Sequence, residues 1–446
     1  MKALGFDFVA SYVWVHHVQL PDFPATDYAW VRERYLAYQD RAETLYGVPY
    51  FPNVTVGWDS SPRAHQEDPF VDAGYPFMAA ISGNTPERFR QALEIERARL
   101  EKRPARERVL TVNSWNEWTE GSYLEPDAHL GTAYLKALRE VFDRKPRVSI
   151  RGGRWHLDGR VTYPGTRAEG LLMNARMVNA VFEDARRPDF DARANAEAFV
   201  RKIPDYVAAG VRAFTISLQG GMPGYEGALN SAFEPDGSLK PSYLERVQRA
   251  IEASDAAGAA IILSCYYQRQ DQVLRDAEAV RAGVRNAVRW LREERFPNVL
   301  LEIADEFPHG GFDHEILRSP AKQAELLRLA RREWPELLVS TSGLGDGRLP
   351  DEVCEESDFL LIHLNGVPLE EIPSRIAALR KWGKPIVVNE DDKAGAAGAR
   401  AAEACVAGGA SWGCMLKERN QYFPFRFEGA ADDPEIYAKL RELTSR

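Results

Sequence analysis

Asn298-Val299-Leu300-Leu301-Glu302-Ile303-Ala304-Asp305-Glu306 is an apolar run that ends abruptly in acid, and Pro385-Ile386-Val387-Val388-Asn389-Glu390 repeats the pattern. Buried parallel strands read as near-continuous apolar runs. A charged residue at the end of such a run marks a strand tip that carries chemistry. In a (β/α)8 barrel all strand tips open on one face, so carboxylates from different strands converge there. Two converging carboxylates are the minimum equipment for cleaving a glycosidic bond.

Outward from these runs the chain alternates strand and helix patterns. Strands are expected at 169–175, 213–219, 259–267, 298–305, 337–342, 359–365, 385–389 and 410–416. A helical pattern at 242–257 opens on a Ser242…Glu245 capping box and stops at Gly258. Another at 275–294 puts Val280, Val284, Val288 and Leu291 on one face. The fold class is therefore α/β, a complete (β/α)8 barrel over 146–446, with a hairpin at 148–161 plugging its N-terminal face. A doubly wound open sheet is the alternative, and it rarely runs to so many consecutive units.

A boundary is expected at Arg144-Lys145-Pro146-Arg147. Before it, residues 1–145 offer only three strands, 3–14, 49–57 and 108–115, with helices at 27–45, 86–103 and 131–142. Thr85 and Pro86 form an N-cap and first-turn pair for the middle helix. This reads as a partial (β/α) barrel. Its open sheet edges and apolar helix faces call for a covering layer or for pairing between chains; the oligomeric state is left open.

The formal charge of −9 is spread along the chain, which argues against nucleic acid or an anionic membrane as partner. No apolar run reaches the length of a membrane span. The four cysteines, Cys265, Cys354, Cys405 and Cys414, lack disulfide-framework or zinc spacing, so no metal or other cofactor is expected. The N-terminus has no signal-peptide core, which places the protein in the cytoplasm if Met1 is the true start. Ser342 to Arg348 has glycines but neither dinucleotide nor P-loop spacing, and reads as a flexible loop. Asp391-Asp392 lacks the partner spacing of a cation site and reads as a solvated loop.

Residues 148–446 resemble clan A glycoside hydrolases, and among them the family 5, cellulase-like group. The resemblance rests on Asp305-Glu306 at the tip of strand four, His363 on strand six, Glu390 in Asn389-Glu390-Asp391 at the tip of strand seven, and Trp412 on strand eight. It implies that Glu306 is the acid/base, that Glu390 is the nucleophile, and that Trp412 floors the sugar site beside His363. Two positions depart from the family pattern. Asp305 replaces an asparagine that binds the sugar 2-hydroxyl, and Asn365 stands where a tyrosine usually follows the histidine. An ionised Asp305 only accepts hydrogen bonds, so the substrate presents a donor there or Asp305 turns away. Tyr266, Tyr267, Gln219 and Arg176 occupy tips where sugar contacts belong; one of the two tyrosines must face the other way, because neighbours on a strand alternate. Arg176 either keeps Glu390 ionised or forms a surface ion pair.

The N-terminal stretch resembles the C-terminal part of family 99-like glycoside hydrolase domains of polysaccharide and lipopolysaccharide biosynthesis. The matching residues are Gly57-Trp58-Asp59-Ser60-Ser61-Pro62-Arg63 and Asn113 to Asp127, with Asn116-Glu117-Trp118-Thr119-Glu120 at its heart. The resemblance implies a second carboxylate pair, Glu117 and Glu120, flanked by Trp118 and Trp58. With the earlier strands of that barrel missing, this second site is expected to be open and inactive.

The expected activity is retaining hydrolysis of a β-linked oligo- or polysaccharide, Glu390 charged at rest and Glu306 kept protonated by its field. A non-catalytic carbohydrate-binding barrel and a transglycosylase in glycan assembly are the alternatives.

Overall fold

In the computed structural model the two quoted runs become strands of one parallel system. The strands are β1 (Asn174–Arg176), β2 (Ala213–Ser217), β3 (Ala260–Tyr266), β4 (Val299–Ala304), β5 (Val339–Ser340), β6 (Leu360–His363), β7 (Ile386–Glu390) and β8 (Gly413–Cys414). The structure describes residues 2–104, 107–142, 148–221, 224–225 and 227–446. The chain divides into two compact units, Met1–Arg144 and Lys145–Arg446. Residues 144–147, where the junction was expected, lie outside the described residues.

Strands β8, β1, β2, β3, β4 and β5 pair in that order as a parallel sheet, and β6 pairs with β7. Parallel bridges Ser342–Leu361 and Val387–Ser411 join the pair to both ends of the sheet. The ladder thus returns on itself. Helices alternate with the strands: α1 (Ala192–Ala208), α2 (Pro241–Ala256), α3 (Ala277–Glu293), α4 (Pro320–Glu333), α5 (Asp351–Glu356), α6 (Ile372–Leu379), α7 (Gly395–Ala407) and α8 (Pro434–Thr444). In α3, Asp276 caps the Ala279 N–H at 2.8 Å, and Ala279, Val280, Val284, Ala287, Val288 and Leu291 form the buried stripe. In α2 the expected capping box gives way: Pro241 occupies the first turn and Lys240 is the N-cap, without a side-chain cap. Proline is pre-set for that position and moves the helix start ahead of Ser242.

Side chains alternate along the strands, with one interruption near the end of β7. Leu301, Ile303 and Val388 face the helices, in one large core. Ala213, Ala260, Ile262, Leu300, Leu361 and Val387 face the other way, in a second core that includes Trp155 and Val148. Trp155 belongs to a three-stranded antiparallel element, Val148–Arg151, Arg154–Leu157 and Arg160–Val161. The expected hairpin therefore does close the N-terminal end of the strand ring.

The first unit is built from short pieces. Val9–Ala10 pairs in parallel with Tyr50–Phe51, Asn53–Thr55 with Thr111–Asn113, and Ala25–Asp27 with Ala80–Ser82. The expected strand 3–14 shrinks to two residues between 3-10 turns at Lys2–Leu4 and Trp14–His16. The pair at 25–27 and 80–82 was not expected; three residues give too short a run to show alternation. The three helices, Tyr28–Tyr46, Pro86–Leu100 and Ala133–Phe142, lie close to their expected spans. The Thr85 side chain accepts from the Arg88 N–H, with Pro86 in the first turn, as read from the sequence. No described helix is long and apolar enough to cross a membrane.

Candidate active site

Four carboxyl groups and two cations gather at the C-terminal tips of β1, β4, β6 and β7. Arg176, the last residue of β1, is buried; its Nη2 lies 2.8 Å from Asp305 Oδ1 and its Nε 2.6 Å from Glu390 Oε2. His363, the last residue of β6, is fully buried, with Nδ1 3.2 Å from Glu306 Oε1 and 3.6 Å from Glu390 Oε2. Its Nε2 lies 3.7 Å from Asp305 Oδ1. The Asn365 amide donates to Glu390 Oε1. One oxygen each from Glu306 and Glu390, together with a His363 nitrogen, fall within 4.8 Å of one another.

Two backbone features aim the carboxylates. Between β6 and β7 the register runs Ile362 to Val388 and then His363 to Glu390, so Asn389 is the extra residue of a bulge. Val387 faces inward and Val388 outward. Strict alternation would put Asn389 inside and turn Glu390 toward the helices; the bulge returns Glu390 to the interior. Glu306 has φ of +49°, a left-handed conformation that costs a side-chain-bearing residue stability. The loop after β5 holds it there: Ser342 Oγ accepts from the Glu306 N–H at 3.0 Å, and the Ser342 carbonyl accepts from the Phe307 N–H at 3.0 Å.

The charges set one another's protonation. Burial works against charge on Glu390, but Arg176, His363, the Asn365 amide and Lys417 outweigh it and hold the carboxyl below its ordinary range. Burial also disfavours a charged His363; Glu390, Glu306 and Asp305 override it and lift the imidazole to about 9. Asp305 is raised, by burial first, with the charges of Glu390 and Glu302 adding to it against Arg176 and His363. Glu302, on the interior face of β4, is raised chiefly by burial. The sets Glu302/Asp305/His363 and Glu306/His363/Glu390 have the donor types and spacing to hold a metal ion. Arg176 and a protonated His363 already supply positive charge at that place.

Glu306, Glu390, Asp305, His363, Asn365 and Arg176 are thus brought together. Other expected contacts are not. Trp412 is fully buried in the core between strands and helices, its indole N–H donating to Asp391 Oδ2 at 2.9 Å, so it offers no face to a sugar. Tyr266 also points outward, its hydroxyl donating to the Val280 carbonyl at 2.5 Å, where Gly283 leaves room: a Cβ there would lie 2.3 Å from that oxygen. Tyr267 is the site tyrosine, lying in the field of Asp305, Arg176, Glu390 and Glu306. Gln219 is fully buried and donates to Ser231 Oγ and the Gln270 carbonyl, each at 3.0 Å, bracing loops rather than reaching outward. Asn389 is buried within the bulge. Asp391 and Asp392 are each paired with a lysine, Lys393 and Lys417. Sequence reasoning passed over Glu302, although an acid at an inward position of a buried strand was there to be read.

In the first unit Arg63 spans the carboxylate pair, 3.0 Å from Glu117 and 3.4 Å from Glu120. Trp118 is exposed and stacks on Tyr123 with ring centroids 3.7 Å apart. Trp58 is buried in that unit's core, its ring 6.3 Å from that of Tyr75, whose hydroxyl accepts from Arg63.

Residues 12–138 match the family described as Glycosyltransferase WbsX, a stretch that contains the Asn113 to Asp127 motif. An uncharacterized protein, WxcX of Xanthomonas campestris pv. campestris strain B100, is 35% identical over 130 residues, which are 29% of this chain and 17% of the relative. The chain therefore matches only a small part of that relative's length. Solved structures similar to it include an endo-1,4-beta-mannanase from Eisenia fetida, with TM-score 0.48 and 11% identity over 68% of this chain and 96% of that one. A glycoside hydrolase family 5 enzyme from Prevotella bryantii B14 overlaps with TM-score 0.45 and 10% identity over 64% of this chain and 99% of that one.

Proposed function

We propose that residues 148–446 form a complete (β/α)8 glycoside hydrolase barrel, preceded by a partial one, and that it cleaves a β-linked oligo- or polysaccharide with retention of configuration. The observation that carries this reading is the close approach of Glu306 and Glu390, with oxygens within 4.8 Å. Retaining enzymes hold their carboxyl groups about 5 Å apart, and inverting ones leave roughly 6.5–9.5 Å for a water. Glu390 attacks the anomeric carbon while Glu306 gives its proton to the departing oxygen. The glycosyl ester is then hydrolysed by water whose proton returns to Glu306. His363 and Arg176 keep Glu390 ionised at rest, and Asn365 fixes one of its oxygens.

Aryl β-glycosides are the test. Glu390→Ala should lose all but a trace of hydrolysis and regain turnover when azide replaces the missing carboxylate, giving a glycosyl azide of inverted configuration. Wild-type hydrolysis with inversion, or unchanged turnover in Glu390→Ala, would remove the reading. No hydrolysis but tight glycan binding would favour a non-catalytic barrel.

A second reading, transglycosylation during glycan assembly, has support from the WbsX match in the first unit. It uses the same carboxylates and replaces water by an acceptor hydroxyl. Product analysis with added acceptor sugar separates the two. Clamping of Glu117 and Glu120 by Arg63 supports a non-catalytic first unit.

A further inference from the structure

Beneath the proposed catalytic pair lies a carboxyl group that the mechanism does not use. Glu302 is fully buried, on β4 between Ser264 of β3 and Ser340 of β5. Among the described residues no basic side chain forms an ion pair with it, and neither oxygen has a hydrogen bond of good geometry. The hydroxyls of Ser342 and Ser264 are close enough to favour its charged form weakly. One Glu302 oxygen nevertheless lies within 4.8 Å of an Asp305 oxygen and a His363 nitrogen. That nitrogen environment is itself short of partners, since His363 Nε2 makes no hydrogen bond of good geometry.

The charges in this cluster can be counted. Arg176 and His363 are the two cations, and Glu302, Asp305, Glu306 and Glu390 are the four carboxyls. Asp305 and Glu390 each touch Arg176 and Glu306 touches His363, which leaves Glu302 as the one carboxyl of the four without an ion-pair partner. An unpaired ionised carboxylate in a dry interior costs several kcal/mol.

We propose that Glu302 is a positioning residue that stays protonated, a neutral carboxyl under the site which leaves Arg176 and His363 committed to Asp305, Glu306 and Glu390. The protonation rests on geometry; its effect on catalysis rests on the hydrolase reading above. The titratable and charged groups facing Glu302 are Arg176 of β1, Asp305 beyond β4 and His363 of β6, and Cys265 of β3 lies near it on the opposite, helix-facing side of the sheet. Were Glu302 to ionise, it would draw both cations inward and away from the nucleophile.

Two readouts need no substrate. In Glu306→Gln, infrared spectroscopy at neutral pH should show a buried carboxylic acid C=O band that is absent from the Glu306→Gln, Glu302→Gln double variant. Glu302→Gln should also melt progressively higher relative to wild type as pH rises from 5 to 8. A group whose folded pKa lies above its unfolded one costs stability once the unfolded chain can release the proton, and glutamine removes that cost. The third readout is kcat/KM against pH, whose alkaline limb should move up in Glu302→Gln because one deprotonation that ends the productive charge state is gone. No band difference, with a constant melting offset at every pH, would overturn the proposal. So would zinc or manganese raising the melting temperature of wild type but not of Glu302→Gln, since the cluster would then hold a metal rather than a proton. Wild type inactive on every glycoside, with the band present, would sink the hydrolase reading and leave the protonation standing.

Discussion

His363 stands opposite Glu390 across the β6–β7 ladder, and Asn389 is the residue left over. The pairing puts an imidazole nitrogen 3.6 Å from one glutamate and 3.2 Å from the other. One ring thereby couples the two carboxylates of the proposed mechanism.

His363 should make stability depend on pH in a defined window. Its folded pKa is lifted to about 9, above the ordinary 6.5. The stabilisation is complete below 6.5 and disappears as pH rises through 9. His363→Gln should be much less stable than wild type at pH 6, by on the order of 3 kcal/mol, and the gap should narrow by pH 10. Urea unfolding across that range measures it. A gap independent of pH would mean that His363 is neutral.

Asp305→Asn restores the amide of the family pattern but strips Arg176 of one buried partner. Breaking a buried pair costs roughly 3–5 kcal/mol when the remaining charge cannot reach water. A chemical denaturation midpoint that does not move would show that the pair is not ionised. Any gain in affinity for a 2-hydroxyl sugar should appear in KM.

Trp412→Phe should cost stability, about 1–2 kcal/mol from the lost hydrogen bond to buried Asp391, and leave KM within about threefold. A tenfold rise in KM with intact stability would return the indole to the sugar site.

Glu306→Gly should separate stability from activity. Glycine adopts a positive φ freely, so relief of strain at φ of +49° should offset part of the lost side-chain packing and leave the variant more stable than Glu306→Ala by about 1 kcal/mol. Both should lose hydrolysis of poor leaving groups, with activity on an activated aryl glycoside retained in part, as expected for removal of an acid. Thermal melts and two substrates of different leaving-group strength check it.

Glu117→Gln with Glu120→Gln, in the full chain, should leave hydrolysis unchanged. Loss of activity with Glu306 and Glu390 intact would move the chemistry to the first unit.

The long buried strands were the legible part. In β3, β4, β6 and β7 an apolar run stops at a polar residue, and the carboxylates of β4 and β7 could be placed from that alone. Facing was harder to read. Tyr266 and Tyr267 differ by one residue, and the outcome was decided by the room that Gly283 leaves on a distant helix. Trp412 was assigned from its place on strand eight, but its neighbour Ser411 is the residue that reaches inward, accepting from the Leu172 N–H at 2.8 Å. A bulge leaves no mark in composition, so nothing in Val387-Val388-Asn389-Glu390 announces that Glu390 escapes the alternation. In the first unit, two- and three-residue strands carry too few side chains for any period to be read.

Trp155 seals one end of the strand ring. Because that end is stoppered by indole and aliphatic side chains, the second unit is a cup rather than a tube. A cup has one lip. Whatever reaches or leaves the carboxylates under the proposed function does so at that lip, because side chains fill the other end of the ring.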